Sequence, residues 1–329
     1  MPRIIKFSKA GGPEALQFVD VQTEAPGPKD VRIKVKAIGI NRAESMWRRD
    51  DYIEPVIFPA RLGYEAAGIV DAVGKDVTEF KPGDEVNVIP SFSQNDYGTY
   101  GDVVLVPVHA VVKHPKNLSY AEAASMWMMF VTVYSAFIED AKLGKGDFVV
   151  IPAASSSVGL AAIQVANYVG ATPIALTRTA AKRVKLLEAG AKHVIVTDEV
   201  DFVAEVKRIT GEQGARVAFD PVGGTAFSKL ISTLSFQGIV YLYGALDDAP
   251  TTIKPLDMIA KMPVVKGHNL WVTSGDEVRR KAAVKWILEG IEAGALKPVI
   301  DRTFKFDEMV EVHRYLEKNG QFGKIVVTV

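Results

Sequence analysis

The sequence predicts an α/β protein: a doubly wound parallel sheet joined to a mostly β region. Three observations carry that reading. Beyond Asp147, apolar strand-like runs alternate with helical stretches; before about residue 113, short β-rich runs are punctuated by Gly and Pro; and a Ser- and Ala-rich turn separates the first apolar run of the later region from its helix. At 329 residues the chain has room for two domains of roughly 150 residues each.

Taken in order, residues 3–113 hold runs such as VRIKVKA (31–37), broken at Gly27-Pro28 and Lys81-Pro82-Gly83-Asp84. Residues 120–142 contain neither Gly nor Pro and read as one helix leading into the next domain. Strands are then expected at 148–151, 172–176, 193–196, 216–219, 239–243 and 264–266. Helices are expected at 157–168, 180–189, 201–210 and after Gly224. Strands this apolar, separated by helices, imply a parallel sheet covered on both faces. The tail holds helices at 277–293 and 307–318 and a final strand at 324–329. That strand needs a sheet to pair with, so the tail is expected to rejoin the N-terminal β region.

Composition removes several function classes. Lys+Arg and Asp+Glu both number 39, leaving no net charge to hold a nucleic-acid backbone or an anionic membrane. The N-terminus lacks an apolar stretch behind a basic head, and no run of about 18 apolar residues follows, so a cytoplasmic protein is expected. Cysteine is absent, which removes disulfides, thiol nucleophiles and thiolate metal ligands. The five histidines show no metal-ligand spacing, so no metal is expected.

The turn after the first apolar run reads AASSSVG (153–159). Small residues there let the backbone approach a pyrophosphate, whose charge is held by free N–H groups at the helix N-terminus. Ala154, Ser156 and Gly159 take the three glycine positions of a GxGxxG turn, and only the last is kept. Ser155, Ser156, Ser157, Val158 and Gly159 are therefore cofactor-binding candidates. NAD-binding versions of this unit place Asp or Glu at the end of the second strand. Here the sequence is LTRTAAKR (176–183), with no carboxylate and three cations. Arg178 and Lys182, with Thr177 or Thr179 donating a hydroxyl, suit a 2′-phosphate, so NADPH is the expected cofactor. Ligands sit at the carboxyl ends of parallel strands, which adds Gly244, Ala245 and Leu246 after the fifth strand.

Six collinear stretches span nearly the whole chain: GYEAAGIVDAVG (63–74), KPGDEV (81–86), GTYGD (98–102), AASSSVG (153–159), FDPVGG (219–224) and GKIVV (323–327). Through them the chain resembles the medium-chain dehydrogenase/reductase superfamily, in its zinc-independent quinone oxidoreductase branch. The resemblance implies a GroES-like β domain from 1–118 and 269–329 around a Rossmann domain from 119–268, with the active site between them. It also implies a homodimer, joined through the last Rossmann strand near Val264.

The same resemblance places Asn41, Tyr64 and Met128 where zinc-dependent relatives hold the catalytic metal. None of the three replaces a thiolate or imidazole in a tetrahedral zinc site. Only 13 residues separate Asp84 from Gly98 and none is cysteine, so the structural-zinc lobe is missing too. Without a Lewis acid, hydride needs an acceptor that delocalises charge by itself, such as a quinone or an α,β-unsaturated carbonyl. Protein donors then steady an oxygen and deliver a proton. Tyr52 matches a proposed proton-donating tyrosine of related enoyl reductases, and a reference pKa of ~10 keeps such a phenol protonated. Tyr64 is the second choice of acid, Asn41 is a candidate to bond the substrate oxygen or the nicotinamide ribose, and Thr132 matches a threonine near the nicotinamide. Each tyrosine reads equally as a wall of the cleft, and Glu65 as a holder of backbone or Arg. The alternatives are an enoyl thioester reductase or tailoring enzyme on the same scaffold, and a catalytically silent NADPH-binding protein.

Overall fold

A computed structural model describes residues 1–329. Backbone contacts divide it into two compact units: Met1–Met129 with Thr273–Ala282 and Lys297–Val329, and Phe130–Val272 with Ala283–Leu296. Relative to the expected domain limits, 119–129 lie in the first unit and 269–272 and 283–296 in the second.

The first unit is built on the long strand Asp30–Ile40, whose apolar residues Val31, Ile33, Val35 and Ala37 alternate inward with polar ones outward. Along most of its length it pairs with Glu65–Val73, which continues to Glu85–Val88 and Val111–Lys113. Its other edge is shared. The first half pairs with Val103–Pro107 and the second with the terminal strand Lys324–Thr328, which in turn pairs with Ile300–Lys305. The tail thus rejoins the β region as expected. A small sheet of Gln17–Asp20, Arg3–Phe7 and Ala60–Arg61 completes the unit.

The second unit is a six-stranded sheet in the order His193–Val196, Thr172–Thr177, Phe148–Ile151, Ala215–Asp220, Leu234–Leu242, Val264–Gly267, with every pair parallel. This is the doubly wound order, reversing direction beside the first strand, which is where such sheets bind nucleotides. Val150, Ile174, Leu176, Ile195 and Val240 from the strands pack on Phe202, Val206, Phe227, Leu230 and Ile231 from the helices. Burial of that apolar surface is what makes the strand runs legible as apolar.

One expected element is wrong. Residues 120–142 are not a single helix but Tyr120–Ala123, Trp127–Tyr134 and a π-helical turn Ser135–Asp140. The first break has a tertiary cause: the buried Glu65 carboxylate accepts hydrogen bonds from the backbone N–H of Trp127 (3.0 Å) and Met128 (3.1 Å), so a new helix starts there. The short first piece lies close over the sheet. A Cβ on Gly39 would meet the Ala124 carbonyl at 2.0 Å, and Ala37, Ala67, Ala123 and Ala124 pack together around it.

Candidate functional site

In the second unit, Ser156 caps the helix Ser157–Tyr168 by accepting from Gly159 N–H at 3.0 Å. The surviving glycine has a steric reason. A Cβ on Gly159 would lie 2.7 Å from Ala154 Cα and carbonyl oxygen, so only glycine lets this helix close on its turn. Ser155 accepts from Lys182 Nζ at 2.9 Å, which draws the lysine across the turn. Ser157 and Val158 form the helix's first turn, and Thr177 Oγ1 donates to Thr179 O at 3.3 Å. Arg178 is exposed, with its guanidinium in no ion pair. The expected cofactor residues at the turn and at the end of the second strand therefore sit at the carboxyl edge of adjacent strands.

The loops after the fourth and fifth strands meet at the same edge. Asp220 accepts from Val222 N–H and Gly223 N–H, both at 2.9 Å, while Leu246 N–H and Asp247 N–H donate to Pro221 O and Val222 O at 3.2 and 3.0 Å. Gly244 is required by close approach, since its Cβ would stand 2.6 Å from Pro221 O. Ala245 and Leu246 are exposed beyond it. Thr132 is buried, and its carbonyl accepts from His268 Nε2 at 2.9 Å.

In the first unit, Tyr52 and Tyr64 are neighbours, with ring centroids 6.4 Å apart. Trp47 meets Tyr52 edge-on at 6.4 Å and is itself fixed by its indole N–H donating to Arg61 O at 2.9 Å; Phe92 lies 6.1 Å from Tyr64. Tyr52 is half-buried, whereas Tyr64 is fully buried. Burial drives the Tyr64 phenol far above its ordinary pKa, the neighbouring Tyr52 adds to this, and the Gln94 amide opposes it. Tyr64 is thereby held protonated. Gln94 is fully buried and anchored by accepting from Gly63 N–H at 2.6 Å.

Asn41 lies in a buried polar cluster. Its amide donates to Glu44 Oε1 and Glu65 Oε1, both at 3.1 Å, and its carbonyl oxygen accepts from Lys324 Nζ, which also bonds Glu65. All four groups are buried. These bonds make the Asn41 side chain an organiser of this cluster, with one lone pair of its amide oxygen unused by Lys324. Burial pushes the Glu44 carboxyl up to about 7, against the opposing pull of Lys324 and Asn41. Glu65 holds backbone, as expected, but its cationic partner is Lys324 rather than an arginine. Lys324 ends the GKIVV stretch's turn, yet no local pattern announces an ammonium meeting Glu65 from 259 residues away.

The positions matching a catalytic zinc do not fit that metal. Asn41 is committed to its cluster, Tyr64 is kept as a neutral phenol, and Met128 offers only a buried thioether. No group of three His, Cys, Asp or Glu side chains able to hold a metal occurs elsewhere either. No helix is long and apolar enough to cross a membrane.

The architecture is that of a nucleotide-dependent dehydrogenase: a parallel sheet with a phosphate turn, and a β unit carrying buried polar groups. Comparison with known proteins makes this specific. Residues 27–116 match the alcohol dehydrogenase GroES-like domain, and residues 189–327 match a family described as zinc-binding dehydrogenase. The quinone oxidoreductase of Homo sapiens is 30% identical over 327 residues, covering 99% of this chain and 97% of that protein. Among solved structures, Escherichia coli quinone oxidoreductase complexed with NADPH is 28% identical with a TM-score of 0.90, covering 100% of both chains. An NAD-dependent alcohol dehydrogenase is 29% identical with a TM-score of 0.89, covering 99% of both. The chain belongs to the medium-chain dehydrogenase/reductase superfamily, in its quinone oxidoreductase-like branch, and is an oxidoreductase.

Proposed function

We propose that this protein reduces quinones or α,β-unsaturated carbonyls with NADPH and without zinc. The observation that carries the reading is a pairing of features. The strand end beside the phosphate turn is basic and free of carboxylates, and the positions matching a catalytic metal hold Asn41, Tyr64 and Met128. The NADPH carried by the similar Escherichia coli enzyme supports the cofactor; the similar alcohol dehydrogenase described as NAD-dependent is the reason to test it.

In this reading Ser155–Gly159 hold the pyrophosphate, Arg178 and Lys182 bind the 2′-phosphate, and bound NADPH supplies the hydride. Charge arriving on a conjugated acceptor spreads to its oxygen, so the protein has only to steady that oxygen and return a proton. Tyr52, half-buried with one side open, is the donor. Tyr64, kept protonated beside it, supports the Tyr52 hydroxyl and does not exchange its own proton.

The test is consumption of NADPH by purified protein after adding a quinone or an enone, before and after exhaustive chelation. Oxidation that depends on the acceptor and survives chelation is the expected result. Activity lost with chelator and restored by zinc overturns the metal-free mechanism, and NADPH bound but never oxidised points to a silent binding protein.

A further inference from the structure

No step of the proposed reaction uses the buried cluster of Asn41, Glu44, Glu65 and Lys324. Glu44 and Glu65 are 0% exposed and Lys324 1%, so Asn41, at 7%, is the member through which a ligand meets the cluster. Asn41 also caps the helix Arg42–Arg48, whose Trp47 packs on Tyr52. Room for the cluster is built into the sheet, since a Cβ on Gly39 would stand 2.9 Å from Glu65 Oε1. A buried ion pair is weak support for stability, and its best-attested use is to fix one arrangement of its neighbours.

The valences of the cluster show what is fixed. A side-chain amide has two N–H donors and an oxygen with two lone pairs. One Asn41 N–H goes to Glu44 Oε1 and the other to Glu65 Oε1, both at 3.1 Å, while Lys324 Nζ donates to the amide oxygen. An ammonium can only donate, and Glu44, protonated or not, keeps lone pairs on both oxygens. A flipped amide would set its oxygen against the Glu65 carboxylate and its N–H groups against the ammonium. Glu65 itself is held by Lys324 and by the N–H groups of Trp127 and Met128. The amide therefore has one orientation, and its single unused valence is an acceptor lone pair.

We propose that Lys324 and Glu65 are positioning residues for ligand recognition: together they lock the Asn41 amide so that its remaining lone pair accepts from a hydroxyl of the bound ligand. A quinone or enone oxygen offers only lone pairs, so Asn41 has no donor left to steady it and that task stays with Tyr52. The hydroxyls open to Asn41 are those of the nicotinamide ribose and any carried on the ring of the acceptor.

This inference rests on the proposed NADPH-dependent reduction, and the experiment separates the two. Each probe is paired with its methyl ether, which can accept a hydrogen bond but not donate one: NADPH with its analogues methylated at either nicotinamide-ribose hydroxyl, and a ring-hydroxylated naphthoquinone with its methoxy counterpart. Kd for the cofactors and KM for the quinones are compared in wild type, Asn41→Ala and Lys324→Met/Glu65→Gln. The last replaces both charges together, so no buried ion is left unpaired, and the amide oxygen introduced by Glu65→Gln can still accept from Trp127 and Met128. Wild type should prefer the hydroxyl in one arm, which names its source, and that preference should fall by about three- to tenfold, the worth of one hydrogen bond, in both variants. The bulk of the methyl group is common to all three proteins, so the change in ratio reads the hydrogen bond. A merely structural loss would weaken both members of a pair alike. Lys324→Gln, whose amide can donate or accept, makes the same test if the double variant does not fold. No preference in either arm of wild type, or one that survives loss of the ion pair, overturns the inference alone. A wild type that neither binds NADPH nor reduces any acceptor overturns the proposed function and this inference with it.

Discussion

At the scale of single residues, the cofactor preference and the proton donor are separable. A 2′-phosphate carries nearly two negative charges, and Arg178 stands exposed at the strand end with its guanidinium in no ion pair. A charge-assisted contact of this kind contributes about 1.5–3 kcal/mol, equivalent to roughly ten- to a hundredfold in affinity. Arg178→Ala should therefore lose most of its affinity for NADPH while NADH binding stays nearly unchanged. Equal wild-type affinities for the two cofactors, or a variant that loses both alike, would show that Arg178 does not read the phosphate. For the acid, Tyr52→Phe should slow enone reduction more than quinone reduction, because a hydroquinone anion can take its proton from water. Unchanged turnover on every enone would leave Tyr52 as a wall packed between Trp47 and Tyr64.

At the scale of elements, the last strand of the parallel sheet stands out. Val264–Gly267 pairs on one side only, and Val264 and Val265 are 47% and 39% exposed. The preceding helix Pro255–Lys261 exposes Leu256 and Ile259, and Met262 follows. An open apolar edge is a template for another strand, and proteins that leave one uncovered as monomers risk aggregation. The homodimer that the family resemblance implies would cover it by pairing two copies through this edge. Val264→Lys should then shift the protein to a monomer in sedimentation at micromolar concentration, and a wild type already monomeric there removes the proposal. The phosphate turn shows the opposite case, an element whose sequence signal and tertiary reason coincide. Only one of three glycines is kept, and it is the one at which a side chain would strike Ala154.

At the scale of the whole molecule, two buried groups give stability opposite dependences on pH. His313 is fully buried, with Nδ1 accepting from Arg48 at 3.0 Å and Nε2 facing Tyr100 OH at 3.3 Å; burial, then the charges of Arg48 and Arg42, lower its pKa to about 3. The unfolded chain takes up that proton near 6.5, so this contribution is full above pH 6.5 and is lost as pH falls toward 3. Glu44 runs the other way, because its folded carboxyl holds its proton up to about 7 and stability declines as pH rises through that value. The melting temperature of His313→Asn should lie below that of wild type at pH 7, with the gap narrowing as pH falls from 6.5 to 4.5. A gap constant with pH would mean that His313 is not held neutral.

By itself the sequence determined the doubly wound sheet, the position of the phosphate turn and the return of the terminal strand to the β unit. Those features are written in local periodicity: six apolar runs separated by helices, and small residues where backbone must come close. Only the tertiary structure decided the rest. Residues 120–142 have helical composition throughout, but the buried Glu65 carboxylate restarts the helix at Trp127. Asn41 stands in a motif that suggested ligand contact, but Lys324, 283 residues away, takes one lone pair of its carbonyl oxygen. The physical reason is common to both. Backbone periodicity is set by neighbours along the chain, whereas the state of a polar side chain is set by the few groups that share its desolvated space, and folding alone chooses them.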